Sequence, residues 1–288
     1  MRLPSGMKLV NLLCGWWTVL VFAFLYLPIV LLIVYSFNKP DPDEAASFAA
    51  KWNGFTLDWY QQARESDALV DSLKNSLVVA CWATVVSVAL GTAGAWLLHR
   101  FRYRFKRLWE TLLFIPMAIP EVIMGISLLI LFAAAAPAVN SLLDAMLGAP
   151  DEPRFSRGLL TITIAHITFC FPFVLIAVQA RLADVDPSLE EAALDLGATP
   201  LRAFWKVMVP YMMPGIVSGA LMAFALSMDE FLVTTFVSGG ADSQTLPLYI
   251  YGQVKKGINP MLNAVSALFV LATILLVVLA ERIRKLNR

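Results

Sequence analysis

Three carboxylates stand where a carboxylate is costly. Glu121 lies in PMAIPEVIMGISLL (116–129), and Asp229 and Glu230 are adjacent in FALSMDEFLVTTFVSGG (224–240), two otherwise apolar stretches. At the centre of a membrane helix an ionised side chain costs about 2.5–3.5 kcal/mol on insertion scales, so none of the three is expected to face lipid. The chemistry open to them is attraction of a cation or relay of a proton. The plainer alternatives are acceptance of backbone N–H bonds beside Pro-rich helix breaks and pairing with a positive residue. Counted along straight helices, Glu121 lies about 20 Å beyond Leu108 and Asp229 about 22 Å beyond Pro214, which sets them at similar heights. Neighbours on a helix diverge by roughly 100°, so one of Asp229 and Glu230 is expected to face an internal pathway while the other satisfies a neighbouring helix.

A second constellation is built for contact. Residues 190–210 read EEAALDLGATPLRAFWKVMVP. Asp186 supplies an N-cap and Pro187 a first helical residue. Leu189, Ala192, Ala193 and Leu196 then fall at i, i+3, i+4 and i+7 and form one apolar face, with Glu190, Glu191 and Asp195 elsewhere. Gly197 ends this helix where a left-handed residue is needed. Thr199-Pro200 starts a second short helix, with Phe204, Val207 and Met208 on its apolar side, leading to Pro210. An ordered, charged helix pair between hydrophobic spans has no evident use unless something docks on it.

Catalytic patterns are missing. The sequence has no GxxxxGK[ST] phosphate loop, HExxH, Ser/His/Asp arrangement or paired cysteines, so neither an enzyme nor a bound cofactor or metal is expected. Cys14, Cys81 and Cys170 lie in apolar runs and read as small core hydrophobes. His166, alone on an apolar span, reads as a structural hydrogen-bonding residue, and Ser227 as a helix–helix contact. A net charge of +1 gives no basic signature, so nucleic acid is not an expected partner.

The elements that must position these residues follow from composition. Hydrophobic residues make up 59% of the chain and charged ones 15%, with a mean hydropathy of +0.72, which marks an integral membrane protein. Spanning a hydrocarbon core about 30 Å thick takes about 20 apolar residues. Six candidate spans result, at about 12–37, 69–98, 108–136, 159–180, 209–237 and 262–280, with a cytoplasmic loop over 186–208 and one transmembrane domain over 1–288. The fold class is therefore all-α and polytopic. The first span is too long for a signal peptide and carries Pro28, so it reads as an uncleaved anchor. Fourteen of the 22 Lys and Arg residues fall on the side holding both termini, the 99–107 tract and the 181–208 segment, which predicts that side to be cytoplasmic. Residues 38–72 read as a turn-rich linker over Pro40–Asp43, then an amphipathic aromatic stretch with Trp52, Phe55, Trp59 and Tyr60 at the outer interface.

Glu191-Ala192-Ala193, three residues, Gly197, nine residues, then Val207-Met208-Val209-Pro210 resembles the EAA loop of binding-protein-dependent ABC importer permeases. That pattern runs EAA, three residues, G, nine residues, I-x-L-P, and this sequence has Val where it has Ile and Leu. The carboxylate-bearing segments, Thr245-Leu246-Pro247 and Asn259-Pro260 resemble the spermidine/putrescine permeases in particular. The resemblance implies an inner-membrane subunit that moves putrescine or spermidine into the cytoplasm. It implies Glu190, Glu191, Ala192, Ala193, Gly197 and Pro210 as ATPase-coupling residues. The implied partners are a second homologous permease, two ATP-binding subunits that hydrolyse ATP, and a periplasmic solute-binding protein, with membrane lipid around them. Glu121, Asp229 and Glu230 are the candidate substrate pathway. The alternatives are an ABC importer permease for another small solute and an ion-coupled secondary transporter using the same carboxylates.

Overall fold

The computed structural model describes residues 5–39, 52–101, 104–148, 153–183, 185–186, 188–256 and 260–286. Pro187, residues 40–51 of the proposed linker, residues 102–103 of the basic tract and Asn259 lie outside them. Among the described residues the regular structure is helical, with one isolated β-bridge, between Asn38 and Phe55. Two compact units divide the chain, Met1–Val70 with Ile250–Arg288, and Asp71–Tyr249.

In the first unit, α1 (Ser5–Tyr35) keeps Pro28 inside it, and its apolar side chains from Val10 to Leu31 are exposed. Such a belt suits lipid and would be untenable in water. The aromatic stretch after the linker is anchored to the helix before it. It folds back on the end of α1, where Trp59 Nε1 donates to the Asn38 carbonyl at 2.7 Å and Phe37 stacks on Phe55 with centroids 5.3 Å apart. Trp59 is thereby buried, while Trp52 and Phe55 stay exposed. The short α2 (Asp58–Glu65) and α12 (Met261–Leu286) complete this unit, with α12 packing on both α1 and α2.

The second unit begins within α3 (Asp67–Arg100) and holds α4 (Lys106–Ala118), α5 (Glu121–Leu147), α6 (Leu159–Leu182), α7 (Ser188–Asp195), α8 (Pro200–Ala203), α9 (Val209–Asp229) and α10 (Leu232–Val237). The helix α11 (Leu246–Lys256) starts in it. Its centre is α6, where Ile162, Val174, Leu175 and Val178 are fully buried. Lipid tails are as apolar as these side chains, so helix association here rests on close van der Waals contact. Glycines provide it. A Cβ at Gly215 would lie 2.7 Å from the Ala177 carbonyl oxygen, and one at Gly219 3.0 Å from Val174 Cα. With Ala223 they form a small-residue stripe, spaced by four, along which α9 lies against α6.

Among the described residues, five helical stretches are long and apolar enough to cross a membrane: Val10–Tyr35, Asp67–Arg100, Glu121–Leu147, Leu159–Leu182 and Pro200–Asp229. A shorter apolar helix follows at Met261–Leu275. Two expected spans differ in detail. The stretch 108–136 is broken at Ile119 and Pro120, because Pro120 has no N–H to donate and its ring disfavours helical geometry at Ile119, whose ψ is 132°. The stretch 209–237 is broken at Glu230, whose ψ of 116° is extended. Measuring the height of Glu121 along one straight helix therefore fails, since it is the first residue of α5. Cysteines also divide: Cys170 is buried, but Cys14 and Cys81 are exposed on helix faces and are not core residues.

Candidate solute cavity and docking loop

Both helix breaks open on one cavity of about 620 Å³, lined by residues 116–121, Met124, Phe169, Phe173, Leu226 and residues 229–232. Glu121, Asp229 and Glu230 all line it. Glu121 comes from the first residue of α5 and Asp229 from the last of α9, so sequence separation is closed by the two breaks. The α9 carbonyls at that end carry the negative pole of the helix dipole, which adds to the negative potential beside Asp229.

The carboxylates are not equivalent. Glu230 is buried, and its Oε1 accepts the Val233 N–H at 2.6 Å, satisfying a donor in the first turn of α10. Glu121 and Asp229 are exposed, and among the described residues their carboxylates have no hydrogen bond or ion pair. Both members of the adjacent pair line the cavity, Asp229 exposed and Glu230 buried against the start of α10, and a backbone break, not helical phase, separates them. A buried clip holds that break in shape. His166 places Nδ1 2.7 Å from Ser227 Oγ and Nε2 2.9 Å from Thr234 Oγ1, joining α6, α9 and α10. Thr234 Oγ1 in turn donates to the Glu230 carbonyl at 3.2 Å.

The loop over 186–208 forms the expected first helix. Asp186 accepts the Ser188 N–H at 2.9 Å, and that bond holds its carboxyl below the usual carboxylate range. At the other end Gly197 takes φ +85°, and the Ala198 N–H reaches the Ala193 carbonyl while the Gly197 N–H reaches that of Leu194. That pairing is a Schellman motif, which satisfies the last carbonyls of α7. Thr199 caps the next helix through the Arg202 N–H at 3.4 Å.

Two features differ from the sequence reading. The second helix does not end near Pro210. It continues through a π turn, Phe204–Met208, into α9, so one helical rod runs from the loop to the cavity. Pro210 cannot donate to the carbonyl four residues back, and the wider turn accommodates that loss. The faces of α7 are also reversed. Glu190 is turned inward, 7% exposed and bonded to Arg100 Nε at 2.9 Å, whereas Leu196 is 90% exposed and Leu189 is exposed as well. Glu191 and Ala192 lie on the exposed side, with Ala193 half-buried. The apolar stripe of α7 has no core of its own to cover. Leu201 and Trp205 extend this exposed apolar surface along the second helix.

Residues 76–287 match the family described as the binding-protein-dependent transport system inner membrane component. The chain belongs to that family. It is a permease subunit of a binding-protein-dependent ABC importer. The permease is 38% identical over 265 residues to the putrescine transport system permease protein PotI of Escherichia coli (strain K12), covering 92% of this chain and 85% of that one. It is 34% identical over 275 residues to the spermidine/putrescine transport system permease protein PotC of the same strain, covering 96% and 95%. In fold it matches a chain of a bacterial ABC transporter involved in the import of the acidic polysaccharide alginate, with a TM-score of 0.70 at 16% identity, over 99% of both chains.

Sequence reasoning missed several residues of these sites. Arg100 counts as a topology charge until its partner is visible, and Trp96, whose ring lies 4.7 Å from that of Phe204, is one aromatic among many. Phe169 and Phe173 face the cavity from a span whose uniform hydrophobicity marks no side as special.

Proposed function

We propose that this permease carries a polyamine, putrescine or spermidine, inward, driven by ATP hydrolysis in separate subunits that dock on the 186–208 loop. The observation that carries the reading is the cavity at the two helix breaks, where Glu121 and Asp229 present carboxylates with no protein partner among the described residues. A di- or tri-cation supplies the missing counter-charge, whereas an anionic solute would meet three carboxylates at once. Aromatic faces from Phe169 and Phe173 suit the methylene chain and ammonium groups of such a molecule. The likeness to PotI and PotC supports the same substrate class.

The exposed apolar surface of Leu189, Leu196, Leu201 and Trp205 supports docking of an ATPase beside Glu191, Ala192 and Gly197. The complete importer then comprises this chain, a second homologous permease, two ATP-binding subunits and a periplasmic solute-binding protein, in the inner membrane, with both termini of this chain cytoplasmic. The chain itself holds no cofactor in this scheme and hydrolyses nothing. Uptake of labelled putrescine and spermidine by proteoliposomes holding the co-expressed complex tests it. Uptake should require internal ATP and the binding protein, and should be unaffected by collapsing ion gradients. Uptake that follows a proton gradient without ATP would make the ion-coupled carrier the correct reading. A reporter fused after Arg288 should be active only as a cytoplasmic fusion.

A further inference from the structure

The helix α3 is held at both ends by side chains of its own. At its end, Arg100 Nε donates to Glu190 Oε1 at 2.9 Å, and this is the one ion pair between distant segments among the described residues. One turn earlier Trp96 lies against Phe204, the first residue of the π turn. Positions 96 and 100 share a helix face, so the two contacts grip α7 and the following helix together. Near its start, Asn75 Nδ2 donates to the carbonyls of Asp242 and Gln244, each at 3.0 Å, and Ser76 Oγ accepts the Leu246 N–H at 2.8 Å. Asn75 and Arg100 are separated by about 38 Å along the helix, more than the hydrocarbon thickness, so the two sets of contacts lie at opposite membrane faces.

We infer that α3 is a strut joining the docking loop to the 242–246 segment on the opposite face, with Arg100 and Trp96 as its inner grips and Asn75 and Ser76 as its outer ones. The inference rests on the proposed docking of an ATPase on the 186–208 loop. Two routes then leave that loop. One is the continuous helix through the π turn to Asp229, which ends at the cavity. The other is α3, which bypasses the cavity. The π turn leaves the first route a local irregularity of the kind that accommodates bending, while among the described residues α3 is unbroken from Asp67 to Arg100 and contains no proline. A rigid helix gripped at both ends carries a displacement of one end to the other, so occupancy of the far face by a solute-binding protein is communicated to the ATPase through α3.

The test uses the intact complex, purified with its co-expressed subunits and reconstituted in liposomes. Basal ATPase rate, stimulation by solute-loaded binding protein and subunit stoichiometry are measured for Arg100→Gln, for Asn75→Ala with Ser76→Ala, and for all three together. Stimulation should fall roughly two- to thirtyfold in each, with basal rate and stoichiometry kept, and the combination should fall no further than the worse component. The exchange of Arg100→Glu with Glu190→Arg should recover most of the stimulation. If Arg100→Gln prevents assembly, Arg100→Lys, which keeps the charge but not the Nε contact, should assemble with partial stimulation. Full stimulation in the variants at either end, or losses that add between the two ends, would overturn the strut. A wild-type complex whose ATPase ignores the binding protein would overturn both the strut and the importer reading beneath it.

Discussion

His166 Nδ1 lies 2.7 Å from Ser227 Oγ while its Nε2 lies 2.9 Å from Thr234 Oγ1, so a single imidazole spans the break that carries Glu230. All three side chains are buried. Replacing the ring by Leu removes its hydrogen bonds to both hydroxyls, leaving Thr234 only its bond to the Glu230 carbonyl, and removes the side chain that bridges α9 and α10 from α6. Buried hydrogen bonds between membrane helices average about 0.6 kcal/mol and reach about 1.7, so His166→Leu is expected to cost about 1–3 kcal/mol. Ser227→Ala should cost less than half of that, because one ring nitrogen keeps Thr234. The midpoint of thermal inactivation in detergent measures both, and equal losses would show that the clip is not a shared one.

Packing along α9 makes a sharper demand. Gly215→Ala places a Cβ against the Ala177 carbonyl, which is backbone and cannot swing away, whereas Gly15→Ala in α1 meets nothing within 4 Å. Overpacking at the first site should cost about 1–3 kcal/mol, and the second should be neutral or slightly stabilising. Yield of folded protein and thermal midpoint, compared for the two variants, check this.

Much of the organisation is legible in the sequence because lipid enforces it. The helical, membrane-spanning class, the Asp186 and Thr199 caps and the Gly197 turn all follow from composition or from rules that act within a few residues. The helix breaks are legible only in part. Pro120 announces one, but nothing near Glu230 does, since FALSMDEFLVTTFV has no Pro or Gly and its break is held by His166 from another helix. The outward apolar face of α7 is legible as a stripe, yet which way it points depends on Glu190 finding Arg100 ninety residues away. Pairings of that range have no local signature.

Gly197 gives a test that separates backbone strain from crowding. No atom lies within 4 Å of the position a Cβ would take, but φ is +85°. Gly197→Val should therefore lose about 1–2 kcal/mol locally through conformation alone, and Gly197→Asn, whose side chain tolerates the left-handed region, should lose much less. The expected outcome is impaired ATP-driven uptake in the Val variant, near-normal uptake in the Asn variant, and unchanged solute capture by the binding protein in both. Equal uptake in the two variants would remove the α7 turn from the coupling path.

The carboxylates should separate into two behaviours. Glu121 and Asp229 face the cavity without a hydrogen bond or ion pair among the described residues, so Glu121→Gln and Asp229→Asn remove charge at little cost to the fold. Losing one charge-assisted contact to a cation, roughly 1.5–3 kcal/mol, corresponds to about a ten- to hundredfold fall in apparent affinity. Glu230 is different because its Oε1 is already engaged by Val233 N–H. Glu230→Gln keeps an oxygen acceptor for that bond and should change affinity much less, while Glu230→Leu should lower the thermal midpoint by orphaning the donor. Uptake of putrescine against spermidine at matched membrane expression reads the first pair, and the trivalent solute is expected to lose more. Thermal scans read the second. If Glu121→Gln and Asp229→Asn lower only assembly, leaving affinity and the preference between the two polyamines intact, the cavity carboxylates are structural and the cation site lies elsewhere in the complex.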